Sequence, residues 1–366
     1  MHIRTISLRN FRNFSKAGVE FGRNRNLILG ANAQGKTNLL EAIHILGVGR
    51  SHRDRRDANL VKFGESLYRI EGSFEHIGVK TTIEVAWNQE RKRIRINGKE
   101  ARPTNLIGLV GVVVSSPDDI DLIKGSPGFR RTFLDMAISQ TSKEYLSDLQ
   151  DYVRAVTQRN SLLRSIAERT AERSEVEIWD RSVIEAGTKV AGARVAYLQQ
   201  IQPKVDHSYA FISGTRVSAE LNYEPRGYSL RDGLSIRDGL SAAFKRCKEM
   251  ELVKGYTMVG PHLDDFRFLS NGRDIRQFGS EGEQRTAVLA LRCAEIEVLN
   301  DRLGRYPIVL LDDVFAELDS GRSKALTALI SSFDQIILTS SRHEGWGEDI
   351  HTITVENGRI ANGGTA

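Results

Sequence analysis

Apolar residues follow a strand-like pattern near the start of the chain and a helical pattern in its middle. Short or alternating apolar runs predict strands at 3–8, 25–29, 67–74, 80–87, 91–96 and 109–114, and Asn97-Gly98 is a typical hairpin turn. From 142 to 201, apolar residues recur every three or four positions, which predicts a helical arm with a bend near 171–175. Each half of the arm, with about 25 residues, would be roughly 40 Å long.

The pattern changes again toward the end of the chain. Residues 286–300 have helical spacing, and Ile308–Leu311 form an apolar run that predicts a buried parallel strand. A further helix is predicted after Asp319, with a final strand at 335–339. The segment at 231–235 recurs at 237–241, and we interpret this as a duplication within a connecting loop.

The composition is that of a globular protein and restricts the function little further. The chain has 366 residues, of which 40% are hydrophobic and 27% charged, so it is long enough for two cores. No apolar run reaches the roughly 18 residues of a membrane-spanning helix. The first residues predict a strand and not a secretion signal, so we expect a cytoplasmic protein with no membrane partner. Cys247 and Cys293 lack metal spacing and are expected to be small core residues without a disulfide.

A phosphate-binding loop lies between the strand at 25–29 and the helix that follows it. Its residues are Gly30, Ala31, Asn32, Ala33, Gln34, Gly35, Lys36 and Thr37, and Asn38 comes next. The start of a helix favours anions, because its backbone amides are unpaired and its dipole is positive there. The pattern predicts that Lys36 contacts the β- and γ-phosphates of a nucleoside triphosphate and that the Thr37 hydroxyl binds magnesium.

Two acids, Asp312 and Asp313, follow the apolar strand near the end of the chain. In a doubly wound sheet, a parallel strand brings such carboxylates to the edge where phosphates bind. We expect Asp312 to bind magnesium, and Asp313 to orient or deprotonate the attacking water. The alternative, that the acids only cap the next helix, is disfavoured by the Ala316-Glu317-Leu318-Asp319 segment that follows.

Thr37 and Asp312 are 275 positions apart, which indicates that a second lobe is inserted into the ATPase sheet. We expect an α/β ATPase lobe that is split between 1–115 and 305–366. The inserted lobe, 116–304, would be mainly helical and would include the arm.

A polar turn at 279–285 precedes the helix at 286–300. Ser280, Gly282 and Gln284 form a Ser-x-Gly-x-Gln pattern, which can offer a hydroxyl, backbone amides and a helix dipole to a γ-phosphate. We do not expect the turn to reach the phosphate loop of its own chain. It would face the nucleotide of a second copy in a head-to-tail dimer. An ordinary capped helix start is the alternative interpretation of the turn alone.

The net charge of +5 and the pI near 9.1 are weak indications of a polyanionic partner. Basic residues are grouped in three places: Arg50, Arg53, Arg55 and Arg56; Arg91, Lys92, Arg93 and Arg95; and Arg130 with Arg131. Any one group is compatible with a solvated face. The three together favour DNA.

Other segments complete a recognisable series of motifs. They are Leu8-Arg9-Asn10-Phe11-Arg12-Asn13-Phe14, Ser115-Ser116-Pro117-Asp118-Asp119, Gly125-Ser126-Pro127-Gly128-Phe129-Arg130-Arg131, Gly260-Pro261-His262-Leu263-Asp264-Asp265, and Leu310-Leu311-Asp312-Asp313-Val314-Phe315-Ala316-Glu317-Leu318-Asp319. With them the chain resembles the ABC-type ATPase heads of the SMC group. Within that group it resembles the RecF family of bacterial recombinational repair proteins. The resemblance covers nearly the whole chain.

This resemblance implies an ATP- and Mg2+-dependent homodimer that binds double-stranded and gapped DNA and releases it on slow hydrolysis. It also implies partnership with RecR and RecO in directing recombinase to single-strand gaps. By analogy, Arg12 lies near the nucleotide phosphates and Arg53 near the γ-phosphate. The arm is too short for the long coiled coil of chromosome-condensing relatives, which needs sustained heptads.

The chain departs from the usual pattern at several positions. Glu281 and Glu283 replace glutamines that are common in the family and would add negative charge near an incoming phosphate. Leu263 replaces an arginine and cannot make a polar contact there. Asp313 stands where ABC ATPases generally have glutamate, and the shorter side chain fits slow turnover. His343 comes slightly late for a switch histidine.

Two other classes remain as alternatives. An ATPase subunit of a transporter would share the phosphate loop, but the glutamine loop has no clear counterpart, with Ser116 and Asp118 in the nearest segment. An ATPase of another DNA-associated complex is also compatible with these motifs. An ATPase-nuclease of the overcoming-lysogenisation type would need a further acidic domain, for which the chain leaves no room.

Overall fold

The computed structural model describes residues 1–54, 56–230, 235–342 and 350–362. The chain divides into two compact units. The first consists of Met1–Asp119, Phe211–Gly214 and Leu289–Ala366, and the second of Ile120–Ala210 and Thr215–Val288. Both ends of the chain therefore belong to one unit, and residues 289–304 are in that unit as well.

The strands in chain order are β1 (His2–Phe11), β2 (Phe14–Glu20), β3 (Arg25–Leu29), β4 (Leu67–His76), β5 (Val79–Asn88), β6 (Lys92–Ile96), β7 (Lys99–Glu100), β8 (Val112–Ser115), β9 (Ala219–Glu224), β10 (Asp265–Ser270), β11 (Arg273–Asp274), β12 (Ile308–Leu311), β13 (Gln335–Ser340), β14 (His351–Glu356) and β15 (Arg359–Asn362). The helices are α1 (Lys36–Val48), α2 (Pro103–Leu106), α3 (Pro127–Thr141), α4 (Lys143–Ala167), α5 (Val176–Ser213), α6 (Ile236–Lys254), α7 (Ile275–Phe278), α8 (Glu281–Leu303) and α9 (Ser320–Ile330).

The first unit contains a mainly parallel sheet with the order β15-β14-β3-β13-β12-β8. Strands β3, β13 and β12 are adjacent and parallel, so they end at the same edge. Every residue of β12 is buried, as the apolar run predicts. The strand at 335–339 is not the last one, because β14 pairs with β3 and β15 pairs with β14.

The same unit contains an antiparallel sheet with the order β2-β1-β4-β5-β6-β7. Its strands alternate between buried apolar and exposed polar residues, so one face packs on the core and the other meets water. The predicted turn is confirmed: Asn97 and Gly98 have φ of 49° and 79°, as the tight hairpin between β6 and β7 requires.

The second unit contains the predicted helical arm. Helix α4 ends at Ala167 and α5 begins at Val176, so the bend near 171–175 is confirmed. Helix α5 has 38 residues and is longer than expected. It continues because buried apolar positions recur beyond 201, at Val205 and Tyr209, and it tolerates Pro203 in its interior.

Arg159 joins the helices of the second unit. Its guanidinium donates to Asp180 at 2.7 Å, Glu251 at 2.6 Å and Thr257 at 2.9 Å, and lies 4.7 Å from the ring centre of Phe244. A buried arginine needs acceptors, and here α5, α6 and the segment after α6 supply them to Arg159 of α4.

Several sequence-based expectations need comment. The second copy of the repeat is not a loop: Ser235 caps α6, accepting from the backbone amide of Asp238, and the helix begins at Ile236. Residues 231–234 of the first copy, 231–235, lie outside the described residues, as do Arg55 and His343. Cys247 and Cys293 are both unpaired thiols. In the described portion, no helix has the length and apolarity needed to cross a membrane.

Burial lowers the pKa of His262 from 6.5 to about 4, so the folded protein keeps this imidazole neutral. The unfolded chain takes up the proton first as the pH falls below 6.5, so stability decreases between about pH 6.5 and pH 4. We expect His262 to account for about 2 kcal/mol of the stability lost between roughly pH 7 and pH 5. His262→Gln should remove that part of the pH dependence in urea unfolding. The exposed His351→Gln should retain it, and an unchanged slope in His262→Gln would contradict the assignment.

Candidate nucleotide-binding site

The phosphate loop connects the end of β3 to the start of α1 in the first unit. Gly35 precedes the helix with φ of 121°, and no side chain caps the amides of the first turn. A Cβ at Gly35 would lie 2.8 Å from Asn13 Nδ2, so both the backbone angle and the available space require glycine. The helix therefore presents unpaired amides to the loop, which is the arrangement that binds phosphate.

Neighbouring segments fix the shape of the loop through Gln34. The amide of Asn13 donates to Gln34 O at 2.8 Å, and the backbone amide of Gly358 donates to the same oxygen at 3.0 Å. The backbone amide of Asn357 donates to Gln34 Oε1 at 2.6 Å. Asn38 Nδ2 donates to Asn13 Oδ1 at 2.9 Å. The β1–β2 turn and the β14–β15 turn thus hold the loop from two sides.

Lys36 is buried and its side chain folds back across the loop. Its Nζ donates to Gly30 O at 2.9 Å and to Ala31 O at 3.2 Å. An ammonium group has three hydrogens, so two of them hold the loop and one remains for an anion.

The sheet brings Thr37 and Asp312 into direct contact. Thr37 Oγ1 donates to Asp312 Oδ1 at 2.9 Å, and Thr339 Oγ1 donates to the same oxygen at 2.8 Å. Burial raises the pKa of Asp312, and the carboxylate of Asp313 raises it further. Asp313 has φ of 47°, and its backbone amide donates to Thr339 Oγ1 at 2.8 Å.

This pair of oxygens fits a magnesium ion. Neighbouring ligands of an octahedral Mg2+ are roughly 3 Å apart, because each bond is about 2.1 Å long, and the two oxygens already have that separation. Among the described residues, no group of three or more His, Cys, Asp or Glu could hold a metal ion. Magnesium with two protein ligands would take its other ligands from phosphate and water, as Mg2+ usually does.

Arg12 and Arg53 both lie at Glu41, a buried residue of α1. Arg12 forms a two-pronged ion pair with this carboxylate, at 2.7 and 2.8 Å. Arg53 donates to Asn38 Oδ1 at 3.1 Å and lies 3.7 Å from Glu41. The hydrogen bond to Glu41 raises the pKa of Arg12. Sequence reasoning did not select Glu41, although it is the one charged residue in the otherwise apolar run Leu39-Leu40-Glu41-Ala42-Ile43.

The Ser280 turn belongs to the second unit. Helix α8 begins at Glu281, earlier than the expected 286, so Gly282 and Gln284 lie in its first turn. Glu283 accepts from the Ser280 amide at 2.7 Å and from its hydroxyl at 2.8 Å, and the Glu283 amide donates back to Ser280 Oγ at 3.3 Å. This is a capping box. Gln284 points inward and donates to Ile275 O at 3.0 Å.

The two glutamates that depart from the family pattern therefore have local partners. Glu283 forms the capping box, and Glu281 pairs with Arg285 at 3.0 Å, which lowers the pKa of Glu281. Nothing in the structure explains the leucine at 263.

The basic pair at 130–131 serves the interior of the second unit. Arg130 is buried and pairs with Asp265 at 2.6 and 2.8 Å. Arg131 donates to Asp264 O at 2.9 Å. Two of the sequence motifs thus hold each other in place, and this pair does not form a basic surface.

A family model described as the RecF/RecN/SMC N terminal domain matches residues 2–359. The DNA replication and repair protein RecF of Halalkalibacterium halodurans is 37% identical over 348 residues, which cover 94% of this chain and 94% of that protein. RecF of Bacillus velezensis is 34% identical over 373 residues, which cover 98% of this chain and all 100% of that protein.

Solved structures that are similar to this chain come from the same group of proteins. A structure of the recombination mediator protein RecF with ATP, in the RecFOR pathway, is similar with a TM-score of 0.91 and 33% identity. The similarity covers 100% of this chain and 98% of that one. The Smc head domain of Pyrococcus furiosus, at a TM-score of 0.56 and 17% identity, shares the fold. This similarity covers 98% of this chain and 95% of the Smc chain.

We expect Glu41→Gln to weaken ATP binding by about tenfold, because neutral glutamine cannot hold Arg12 and Arg53 beside the phosphate loop. Titration of a fluorescent ATP analogue measures this loss. Glu65→Gln is the matched control, since Glu65 accepts one hydrogen bond from Asn10 at the surface of the same unit. Thermal unfolding of both variants separates local disorder from global unfolding. Equal ATP affinity in a folded Glu41→Gln variant would show that Glu41 does not position the arginines for nucleotide.

Proposed function

The chain belongs to the RecF/RecN/SMC family, and we propose that it is a RecF-type ATP-gated DNA-binding protein of replication and repair. In this role it closes on double-stranded or gapped DNA as an ATP-dependent homodimer. With RecO and RecR, it helps to load recombinase at single-strand gaps. The contact between Thr37 and Asp312 carries the proposal, because it joins the two halves of an ATPase site across 275 positions. The family match favours this function over the transporter alternative.

Each residue at the site has a proposed part in slow ATP hydrolysis. The amides of the phosphate loop and Lys36 bind the β- and γ-phosphates, with Arg12 and Arg53 next to them. Thr37 and Asp312 would hold Mg2+, which when bound neutralises charge on the phosphates. Asp313, at the end of β12, orients the attacking water or accepts its proton.

A second copy of the chain would complete the site with its Ser280 turn. The start of α8 offers backbone amides, the Ser280 hydroxyl and a positive dipole end to the γ-phosphate. In the structure Glu283 binds both the hydroxyl and the amide of Ser280. Docking therefore requires Glu283 to give way to phosphate. This competition fits an interface that forms only when ATP is present.

The exposed face of the antiparallel sheet carries a basic row suited to a DNA backbone. Cross-strand pairing aligns Lys16 with Arg9, Arg9 with Arg69, Arg69 with Ala86 and Ala86 with Arg93. Directly paired residues of an antiparallel sheet point to the same face, so the four basic side chains form one line. At about 4.8 Å per strand, the row is roughly 19 Å long.

The basic side chains of this row differ in whether they form ion pairs. Arg69 pairs with Glu71 and Glu84 at 2.7 Å each, and Arg93 lies 3.4 Å from Glu100. Within the described residues, the side chains of Arg9 and Lys16 form no ion pair or hydrogen bond. Arg9 and Lys16 are therefore the members best able to exchange water and counterions for phosphate.

ATP should tighten binding of a labelled gapped duplex in fluorescence anisotropy, relative to ADP or no nucleotide. At about 0.15 M salt, we expect Arg9→Glu with Lys16→Glu to weaken ATP-dependent binding by about tenfold or more, since two phosphate contacts become repulsive. Lys99→Glu is the control, because Lys99 pairs with Ile96 and lies on the opposite face of the same sheet. Lys36→Arg tests the gate: unchanged DNA binding at saturating ATP would refute it. Equal losses in the double variant and in Lys99→Glu would refute the basic row alone.

Ser280→Arg should abolish ATP-dependent dimerisation, because a long cation would fill the space that the γ-phosphate of the other copy needs. Light scattering coupled to gel filtration gives the oligomeric state with and without ATP. Binding of a fluorescent ATP analogue to the monomer should be unaffected. A dimer that forms normally in Ser280→Arg would remove the turn from the interface.

A further inference from the structure

The first unit has a large cavity at the sheet edge opposite to the phosphate loop. Its volume is about 1160 Å3, and residues near the start of the parallel strands line it. Arg25 is the first residue of β3, Asp334 directly precedes β13, and Tyr306 lies two residues before β12. The phosphate loop follows the other end of β3. We name this space the basal cavity. It has no part in the nucleotide site described above.

The charges at the basal cavity are unbalanced. Its two acids have partners, because Asp334 binds the N-terminal ammonium at 3.4 Å and Glu75 binds Arg4 at 2.9 Å. Arg23 and Arg25 also line the cavity, and both are exposed. Within the described residues, their side chains form no hydrogen bond or ion pair. Two positive charges are thus available to an anionic ligand.

Arg305 also lines the basal cavity. Its Nη2 donates to Leu109 O at 2.9 Å, and its Nε is buried without a partner within the described residues. Burial lowers the pKa of Arg305. Its Nη1 is not among the buried atoms and has no hydrogen bond within the described residues, so a ligand carboxylate in the basal cavity can reach it.

The basal cavity has apolar side chains and hydrogen-bond acceptors close together. This combination favours a peptide over a nucleic acid as the ligand. Ile77, at the tip of the β4–β5 hairpin, is 88% exposed, and the rings of Tyr306 and Phe333 are 5.2 Å apart. Helices α8 and α9 end at Leu303 and Ile330, and the residues that follow them, Gly304 and Ser331, line the cavity. Carbonyls at a helix end accept N–H donors, which a peptide backbone has and a phosphate backbone lacks, so a peptide can bind both these carbonyls and the arginines.

We propose that the basal cavity binds an acidic peptide segment of a partner protein that also carries an apolar side chain. The carboxylates of the peptide pair with Arg23, Arg25 and Arg305. Its apolar side chain packs on Ile77 and on the partly exposed ring of Tyr306. All of these residues lie at the edge of the sheet away from the phosphate loop.

Selection of a random twelve-residue peptide display library on the full chain tests the proposal. Counter-selection uses the double variant Arg23→Glu with Arg25→Glu, which changes only exposed side chains. We expect the enriched peptides to be acidic with at least one large apolar residue. A synthetic peptide of the enriched sequence should lose about tenfold or more of its affinity for the double variant in anisotropy. Lys99→Glu, a charge reversal elsewhere in the unit, should bind it normally.

Two further measurements complete the test. The double variant should retain the thermal unfolding temperature and the affinity for an ATP analogue, which shows that the fold is intact. It should also retain binding of the gapped duplex. Enriched peptides that are not acidic, or that bind the double variant equally well, would overturn the proposal. Failure to enrich any peptide would overturn it as well. Loss of duplex binding in the double variant would instead indicate a nucleic-acid site at the cavity.

Discussion

The parallel alignment of β3, β13 and β12 is the constraint on which the functional site depends. Parallel strands end at one edge, so residues from distant parts of the chain meet there. Thr37 follows β3, Thr339 lies in β13 and Asp312 follows β12, and both threonine hydroxyls donate to one carboxylate oxygen. The middle strand thus holds the Asp312 carboxylate through Thr339, while Thr37 contacts the same oxygen directly.

Local patterns were enough to predict the parts of the site that depend on short segments. The phosphate loop, the apolar strand before Asp312 and the bend of the arm each follow from neighbouring residues, and the structure has all three. Glu41 could not be selected with the same certainty, since its role requires knowing that Arg12 and Arg53 approach the same buried carboxylate. Asn357 was missed because only the pairing of β14 with β3 brings its turn to Gln34.

Charge counted along the sequence was a weaker guide than charge placed on the fold. Arg130 and Arg131 form a basic pair in the sequence, yet both bind acceptors inside the second unit. Arg9 and Lys16 are separated in the sequence, but strand register places them side by side on an exposed face. The negative charge of Glu283 is likewise used locally, because its carboxylate accepts a hydrogen bond from Ser280. Exposure and partners decide whether a charge can bind something else.

The two edges of the parallel sheet have opposite electrostatic characters, and this separates their ligands. At the phosphate loop, the start of α1 presents backbone amides, which favour an anion in addition to the nearby cations. At the basal cavity, α8 and α9 end and present carbonyls, so an anion can bind there only through arginines. Three arginines supply positive charge at the cavity: Arg23, Arg25 and Arg305. The carbonyls at the helix ends favour a ligand that also has N–H donors. A peptide has both carboxylates and N–H groups, whereas a phosphate backbone has only the anionic groups. Two ligand classes can therefore occupy one sheet without competing for the same edge.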